Sequence, residues 1–241
     1  MTFKQGLKDG IPICLGYFAV SFAFGIFCIT NGLTPLVAII TSLTNLTSAG
    51  QFAGVKLMIA LAPYIEILLT VLLINLRYSL MSIALTQKLD DNVKTYQKLI
   101  FGFGVTDEVF AVSVQKEKLS ARYMYGLIIL PIVGWTLGTA FGCLASEILP
   151  SRVLHALGIS LYAMFIAIII PEARKKLSVF LVVLFAAGLG ILFYYTPYLK
   201  EISIGFQIII STIVASLFGA LVFPIKEEEK KEEGDDDVPS N

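Results

Sequence analysis

PLVAIITSLTNLTSAGQF, residues 35–52, is apolar enough for a membrane interior and too polar for an ordinary spanning helix. It opens on Pro35 and a run of Leu, Val, Ala and Ile, then carries Thr41, Ser42, Thr44, Asn45, Thr47 and Ser48 before Gly50 and Gln51. A spanning helix needs about 20 mostly apolar residues, each rising about 1.5 Å, to cross a hydrocarbon core about 30 Å thick. The stretch 35–50 barely reaches that far. In lipid every backbone polar group needs a partner inside the protein, so irregular backbone survives only where protein or a cavity surrounds it.

The rest of the chain supplies those surroundings. Of 241 residues, 56% are apolar and 15% charged, and the mean hydropathy is +0.82. A soluble domain carries about 25% charged residues. Six stretches are long and apolar enough to span or nearly so: 11–30, 53–75, 123–145, 153–170, 178–195 and 203–223. They are continuous rather than alternating, which predicts helices and not a barrel. The first reads as a transmembrane helix and not as a removed signal peptide, because no small-residue cleavage site ends it. Formal net charge is zero, with the charges clustered between apolar runs. Cys14, Cys28 and Cys143 lie inside those runs without metal-ligand spacing and read as packing residues. His155, the one histidine, opens a helix and has no nucleophile set beside it. No nucleotide-binding glycine loop or metal-ligand cluster is present, so the expectation is a protein that is not an enzyme, with no cofactor and no nucleic-acid partner.

A second short stretch, 99–114, resembles the first. It holds Gly102, Gly104, Thr106, Asp107 and Glu108. Basic residues then constrain topology. Lys4 and Lys8 precede the first run; Lys88, Lys94 and Lys98 lie in one loop, Lys116, Lys118 and Arg122 in another, and Arg174, Lys175 and Lys176 follow the fourth run. The loops at 31–34, 146–152 and 196–202 are nearly free of them. With basic loops cytoplasmic, both termini are inside. Both short stretches must then return to the side they started from, or pair with a neighbouring half-helix. The predicted fold is all-α: a polytopic membrane helix bundle with about six full spans plus two broken or re-entrant segments, eight hydrophobic segments in all. An alternative lets both short stretches cross. Residues 1–225 form the membrane domain, and 226–241, KEEEKKEEGDDDVPSN, a disordered charged cytoplasmic tail. Gly134, Gly138 and Gly142, like Ser21 with Gly25 and Ala215 with Gly219, mark close helix packing.

Polar groups at bilayer depth are costly and mark function. Asp107 and Glu108 are adjacent, so they point about 100° apart on a helix and cannot face one partner. Arg77 follows Asn75 at the end of the 53–75 run. It reads either as an interfacial anchor or as a bidentate carboxylate ligand. Glu66 lies near the middle of that run, a weaker pointer. Unwound backbone around Ser48 and Gly50 exposes N–H groups, and a half-helix N-terminus attracts an anionic substrate group. Two short, glycine-interrupted segments in one chain are the sequence pointer to a transporter's binding site.

Gly50-Gln51-Phe52, Asn75-Leu76-Arg77, Thr106-Asp107-Glu108 and Trp135-Thr136-Leu137-Gly138-Thr139 follow in that order. In these motifs the chain resembles the AzlC family, the large subunits of branched-chain amino acid exporters, over about residues 4–223. The resemblance implies export of branched-chain amino acids driven by the proton-motive force. It also implies a small AzlD-like membrane subunit as partner, in the cell membrane. The family's Gly-Ser-Ala-like run before the glutamine is replaced here by Thr47-Ser48-Ala49-Gly50.

The expectation is a secondary exporter of small apolar amino acids. The substrate-binding candidates are Asn45, Ser48, Gly50, Gln51, Asn75, Arg77 and Trp135. The carboxylate would meet N–H groups near Gly50 and Arg77, and the ammonium would meet carbonyls, Asn45 or an acid. Trp135 would wall the apolar side chain. Asp107 or Glu108 would carry the coupling proton, since a low-dielectric site favours an acid's neutral form. Two other classes share these features: a passive channel for small solutes, and a non-transporting membrane scaffold subunit.

Overall fold

The computed structural model describes residues 1–150, 152, 153, 166, 169–171 and 173–224. The chain divides into two units, 1–165 and 166–241. Among the described residues the only regular element besides helix is one isolated bridge, between Leu89 and Leu119. The expected 153–170 span, His155 and the 226–241 tail lie wholly or largely outside the described residues.

In the first unit α1 (Phe3–Thr30) and α7 (Ala121–Ile148) form a parallel pair held by glycine. Gly10 meets Leu127 and Pro131, Gly134 meets Cys14, Gly138 meets Phe18 and Ser21, and Gly25 meets Thr139 and Cys143. Backbones touch at these points, so the three-glycine face of α7 closes on α1, as small residues allow in membrane helices.

Between these two helices lie α2 (Pro35–Thr44), α3 (Ser48–Ile59), α4 (Tyr64–Thr86), α5 (Thr95–Gly104) and α6 (Asp107–Val114). Thr34 caps α2, with Pro at its first position, where the missing N–H costs nothing. From the face at which α1 ends, α2 descends until the Ser42 Oγ lies 2.6 Å from Thr139 Oγ1 of α7. The chain unwinds over Asn45, Leu46 and Thr47, and α3 then climbs back. The Phe52 ring meets Phe24 edge-on at 4.9 Å, and Ile59, like Ile29 and Leu33, packs against the cluster that Phe52 and Val55 form with Phe24 and Cys28. The α2–α3 pair is therefore a re-entrant hairpin.

α4 runs antiparallel to α3, with Gly54 against Val71 and Gly50 against Asn75, and ends where Leu85 joins Tyr123 and Met124 near the start of α7. α5 and α6 enter from that opposite face. Phe101 packs on Tyr125, Gly104 on Ile128, and the tip reaches Tyr17 in the middle of α1. α6 returns to place Ser113 on Met124 and the Val114 carbonyl on the Lys88 ammonium. Leu119 N–H donates to the Lys88 carbonyl at 2.8 Å, and Asp90 N–H donates to the Leu119 carbonyl at 3.0 Å, closing the base of this second hairpin. α1 with its hairpin and α4 with its hairpin are thus the same motif in opposite orientations.

In the second unit α8 (Leu177–Tyr195) leads through the short α9 (Pro197–Lys200) to α10 (Ile204–Val222). Phe185 stacks on Phe218 at 4.3 Å, and Gly219 faces Val182.

The molecule is the expected polytopic helical membrane bundle. Five described helices are long and apolar enough to span: α1, α4, α7, α8 and α10. One expected boundary is corrected. The 53–75 run is not one helix, because α3 ends at Ile59 and α4 starts at Tyr64. The break falls on Ala60-Leu61-Ala62-Pro63, an apolar sequence that hydropathy passes over. Leu61 takes φ 54°, in the left-handed region, and Pro63 disfavours helix at the residue before it. The true span is Tyr64–Thr86. Arg77 therefore sits midway along it and not at a helix end, and Glu66 lies in its first turn and not near the middle.

Candidate functional site

The two hairpin tips approach each other at the middle of the bundle, one from each face, and both meet polar side chains of α1, α4 and α7 there. Each tip exists because its sequence interrupts a helix with residues that favour caps over helix interior. Thr44, Asn45 and Thr47 do so in the first hairpin, and Gly104 and Thr106 in the second.

The first tip is held by Gln51. Its side chain is buried, donating from Nε2 to Ser42 Oγ at 2.6 Å and accepting from the Trp135 indole N–H at 2.9 Å. The Trp135 ring lies edge-on to Tyr17 at 5.2 Å. Asn45 Oδ1 accepts from the Thr47 hydroxyl at 2.6 Å and from the Thr47 N–H at 3.3 Å. Thr47 precedes α3 but makes no side-chain cap to it, so the positive end of that helix is left open to other partners. Ser48 is half-buried beside it. Gly50 lies so close to α4 that a Cβ there would be 2.6 Å from Asn75 Oδ1 and 2.7 Å from Thr47 Oγ1, so any larger residue must displace one of these side chains.

The second tip is built differently. Thr106 caps α6, accepting from the Val109 N–H, and two acids fill the first turn. They diverge as adjacent helical residues must. Asp107 Oδ2 pairs with Arg77 Nη2 at 2.7 Å, while Glu108 Oε2 accepts from the Tyr17 hydroxyl at 2.5 Å. Tyr17 also reaches Thr106 Oγ1 at 2.5 Å. Arg77 further donates to the Tyr78 hydroxyl at 2.9 Å. One tip thus offers an open helix N-terminus and the other carries two carboxylates in its first turn.

On the second hairpin's side of the site lies a cavity of about 390 Å³ between α4, α5 and α7. Its walls include Leu85, Phe101, Gly102, Val105 and Met124, so it is strongly apolar.

The structure brings Asn45, Ser48, Gly50, Gln51 and Trp135 together around the first tip. Asn75, Arg77 and Asp107 lie along α4 and the second tip, and Tyr17 links Glu108 to Trp135. Trp135 is buried behind Gln51 with its indole N–H already used. Sequence reasoning missed Tyr17 and Tyr78. Tyr17 lies in an apolar run with no polar neighbour in sequence, and the one available signal was its hydroxyl, which needs a partner when buried.

Long apolar helices in a parallel-and-re-entrant arrangement, with a polar centre where two hairpins meet, define a polytopic helical membrane protein. A family model described as AzlC protein matches residues 12–149, and the chain belongs to that family. Among its relatives, an uncharacterized membrane protein of Archaeoglobus fulgidus is 35% identical over 180 residues, covering 72% of this chain and 77% of the relative. The inner membrane protein YgaZ of Escherichia coli K12 is 29% identical over 185 residues, covering 73% and 76%. The branched-chain amino acid transport protein AzlC of Bacillus subtilis is 24% identical over 179 residues, covering 73% and 69%. No solved structure matches.

Proposed function

We propose that the chain is the large subunit of a two-component exporter of branched-chain or similar small apolar amino acids, driven by the proton-motive force. The observation that carries this reading is the pairing of two oppositely oriented re-entrant hairpins, one with an uncapped helix N-terminus and the other with acids. An amino acid carries an anion, a cation and an apolar side chain. The first turn of α3, with Ser48 and Gly50, suits the carboxylate, and Arg77 is the second anion ligand. Asn45, Asn75 and the acids of α6 suit the ammonium. The apolar cavity between α4 and α5 suits a branched side chain leaving toward the second hairpin's face. Gln51 and Trp135 hold the first tip in shape. Asp107 and Glu108 are the proton carriers, one engaged by Arg77 and the other by Tyr17. The Bacillus relative named for branched-chain amino acid transport supports the substrate class.

The need for a small AzlD-like membrane subunit is supported by exposure. The side chain of Arg77, midway along a spanning helix, is 49% exposed, and that of its partner Asp107 is 41% exposed. A charge pair at that depth needs covering from lipid. Lys4, Lys8, Lys88, Lys94, Lys98, Lys116, Lys118 and Arg122 cluster at the face where α1 begins, which supports placing that face and the N-terminus in the cytoplasm of a cell membrane, and the basic run Arg174, Lys175 and Lys176 in the sequence supports the same side for the C-terminus.

Valine flux into inverted membrane vesicles tests the reading. Uphill accumulation that an uncoupler collapses is the expected result, and flux that only equilibrates would make the protein a pore. Asp107→Asn and Glu108→Gln should each abolish accumulation; wild-type accumulation in both would remove the acids from the mechanism.

A further inference from the structure

Most polar atoms around the two tips are already satisfied within the protein. Both ends of the Gln51 amide are engaged, Asn45 Oδ1 accepts twice, Asp107 takes Arg77 and Glu108 takes Tyr17. Among the described residues two buried side-chain atoms have no partner: Thr70 Oγ1 and Asn75 Oδ1. A hydroxyl can redirect its own proton, whereas an amide oxygen needs a donor brought from outside. Burying such an acceptor without a donor is destabilising, and in a folded protein it calls for an explanation. Asn75 Oδ1 is also aimed. It lies against Gly50 at the first turn of α3, the turn that no side chain caps, and the missing Cβ of Gly50 is what admits it.

We infer that Asn75 Oδ1 is the acceptor for the ammonium group of an α-amino acid substrate whose carboxylate sits on the open first turn of α3. This rests on the amino acid transport reading and adds the residue that distinguishes an amino acid from its 2-hydroxy counterpart. The geometry suits an α-amino acid because its two charged groups are one carbon apart, and here an anion-seeking helix end and an unsatisfied acceptor are close neighbours. An ammonium carries three donors and no acceptor, which is the complement of this oxygen. A 2-hydroxy acid keeps the carboxylate and the apolar side chain but brings a neutral, weaker donor. A charge-assisted hydrogen bond is roughly twice as strong as a neutral one, so the hydroxy acid gains less from this oxygen.

The test is flux of valine and of 2-hydroxyisovalerate in proteoliposomes containing the full chain with any membrane subunit that co-purifies. The wild type is expected to prefer valine by about tenfold. Asn75→Leu, which keeps the number of side-chain heavy atoms and removes the acceptor, should lower valine flux roughly ten- to hundredfold. It should leave hydroxy acid flux within about twofold, so that the preference collapses. Asn75→Asp keeps the acceptor and should keep the preference. An Asn75→Leu protein that still prefers valine as the wild type does overturns the assignment, as does an Asn75→Asp protein that behaves like Asn75→Leu. Loss of a sodium dependence in Asn75→Leu with the valine preference intact would make the oxygen a metal-cation ligand and also overturn it. Absence of valine flux in the wild type is a separate result: it removes the transport reading itself, and this assignment with it.

Discussion

Gln51 shows how one side chain holds a hairpin tip in place. Its amide is buried and joins α2, α3 and α7 through Ser42 and Trp135. Gln51→Leu leaves the Trp135 indole N–H without an acceptor, and should cost about 1–3 kcal/mol. A lower midpoint in thermal unfolding of the detergent-solubilised protein, with valine flux lost alongside, is the expected outcome. Glycines separate into two kinds. A Cβ on Gly50 would meet Asn75 Oδ1 at 2.6 Å, so Gly50→Ala should lower flux by up to about a hundredfold through displacement of the Asn75 amide. Gly16, in the same type of helical backbone, has nothing within 4 Å, and Gly16→Ala should be neutral or more stable by about 0.5–1 kcal/mol. A destabilised Gly16→Ala would mean that its open surroundings are filled in the membrane. At this scale Gln51, Asn75, Arg77 and the two acids were legible from sequence because polar groups in apolar runs are rare and costly. Tyr17 was not, since its partner Glu108 lies 91 residues away.

Among elements, the break between α3 and α4 decides most. Leu61 is 90% exposed and adopts φ 54°. The left-handed region costs a non-glycine residue about 1–2 kcal/mol. Leu61→Gly should therefore stabilise the protein, by less than that amount once glycine's chain entropy is counted, and Leu61→Val should destabilise it. Unfolding midpoints that move the other way would show that the turn is held in some other conformation. Hydropathy could not find this break because all four of its residues are apolar, and the same error displaced Arg77 to a helix end. The glycine stripe was legible, but its partner was not. Spacing predicts a close contact, and only the fold says that α7 meets α1 in parallel.

At the scale of the whole molecule, the arrangement makes a prediction about sides. In a cysteine-free background, single cysteines at Gly32 and Leu61 should both react with an impermeant thiol reagent from one face. Cysteines at Asp91 and Glu117 should react from the opposite face, which the lysine distribution assigns to the cytoplasm. Reaction of positions 32 and 61 from opposite faces would mean that α2–α3 crosses the membrane and does not return. The requirement for two irregular segments came from the sequence alone, because chain length against bilayer thickness and the one-sided distribution of lysines are properties of local composition. That the segments return, from opposite faces and to a common centre, was decided by tertiary structure. The contacts that turn them back join residues far apart in the chain: Ser42 with Thr139, Gln51 with Trp135, and Tyr17 with Glu108. Hydropathy and residue spacing report each segment's own polarity, whereas a buried hydrogen bond depends on which distant segment supplies the partner.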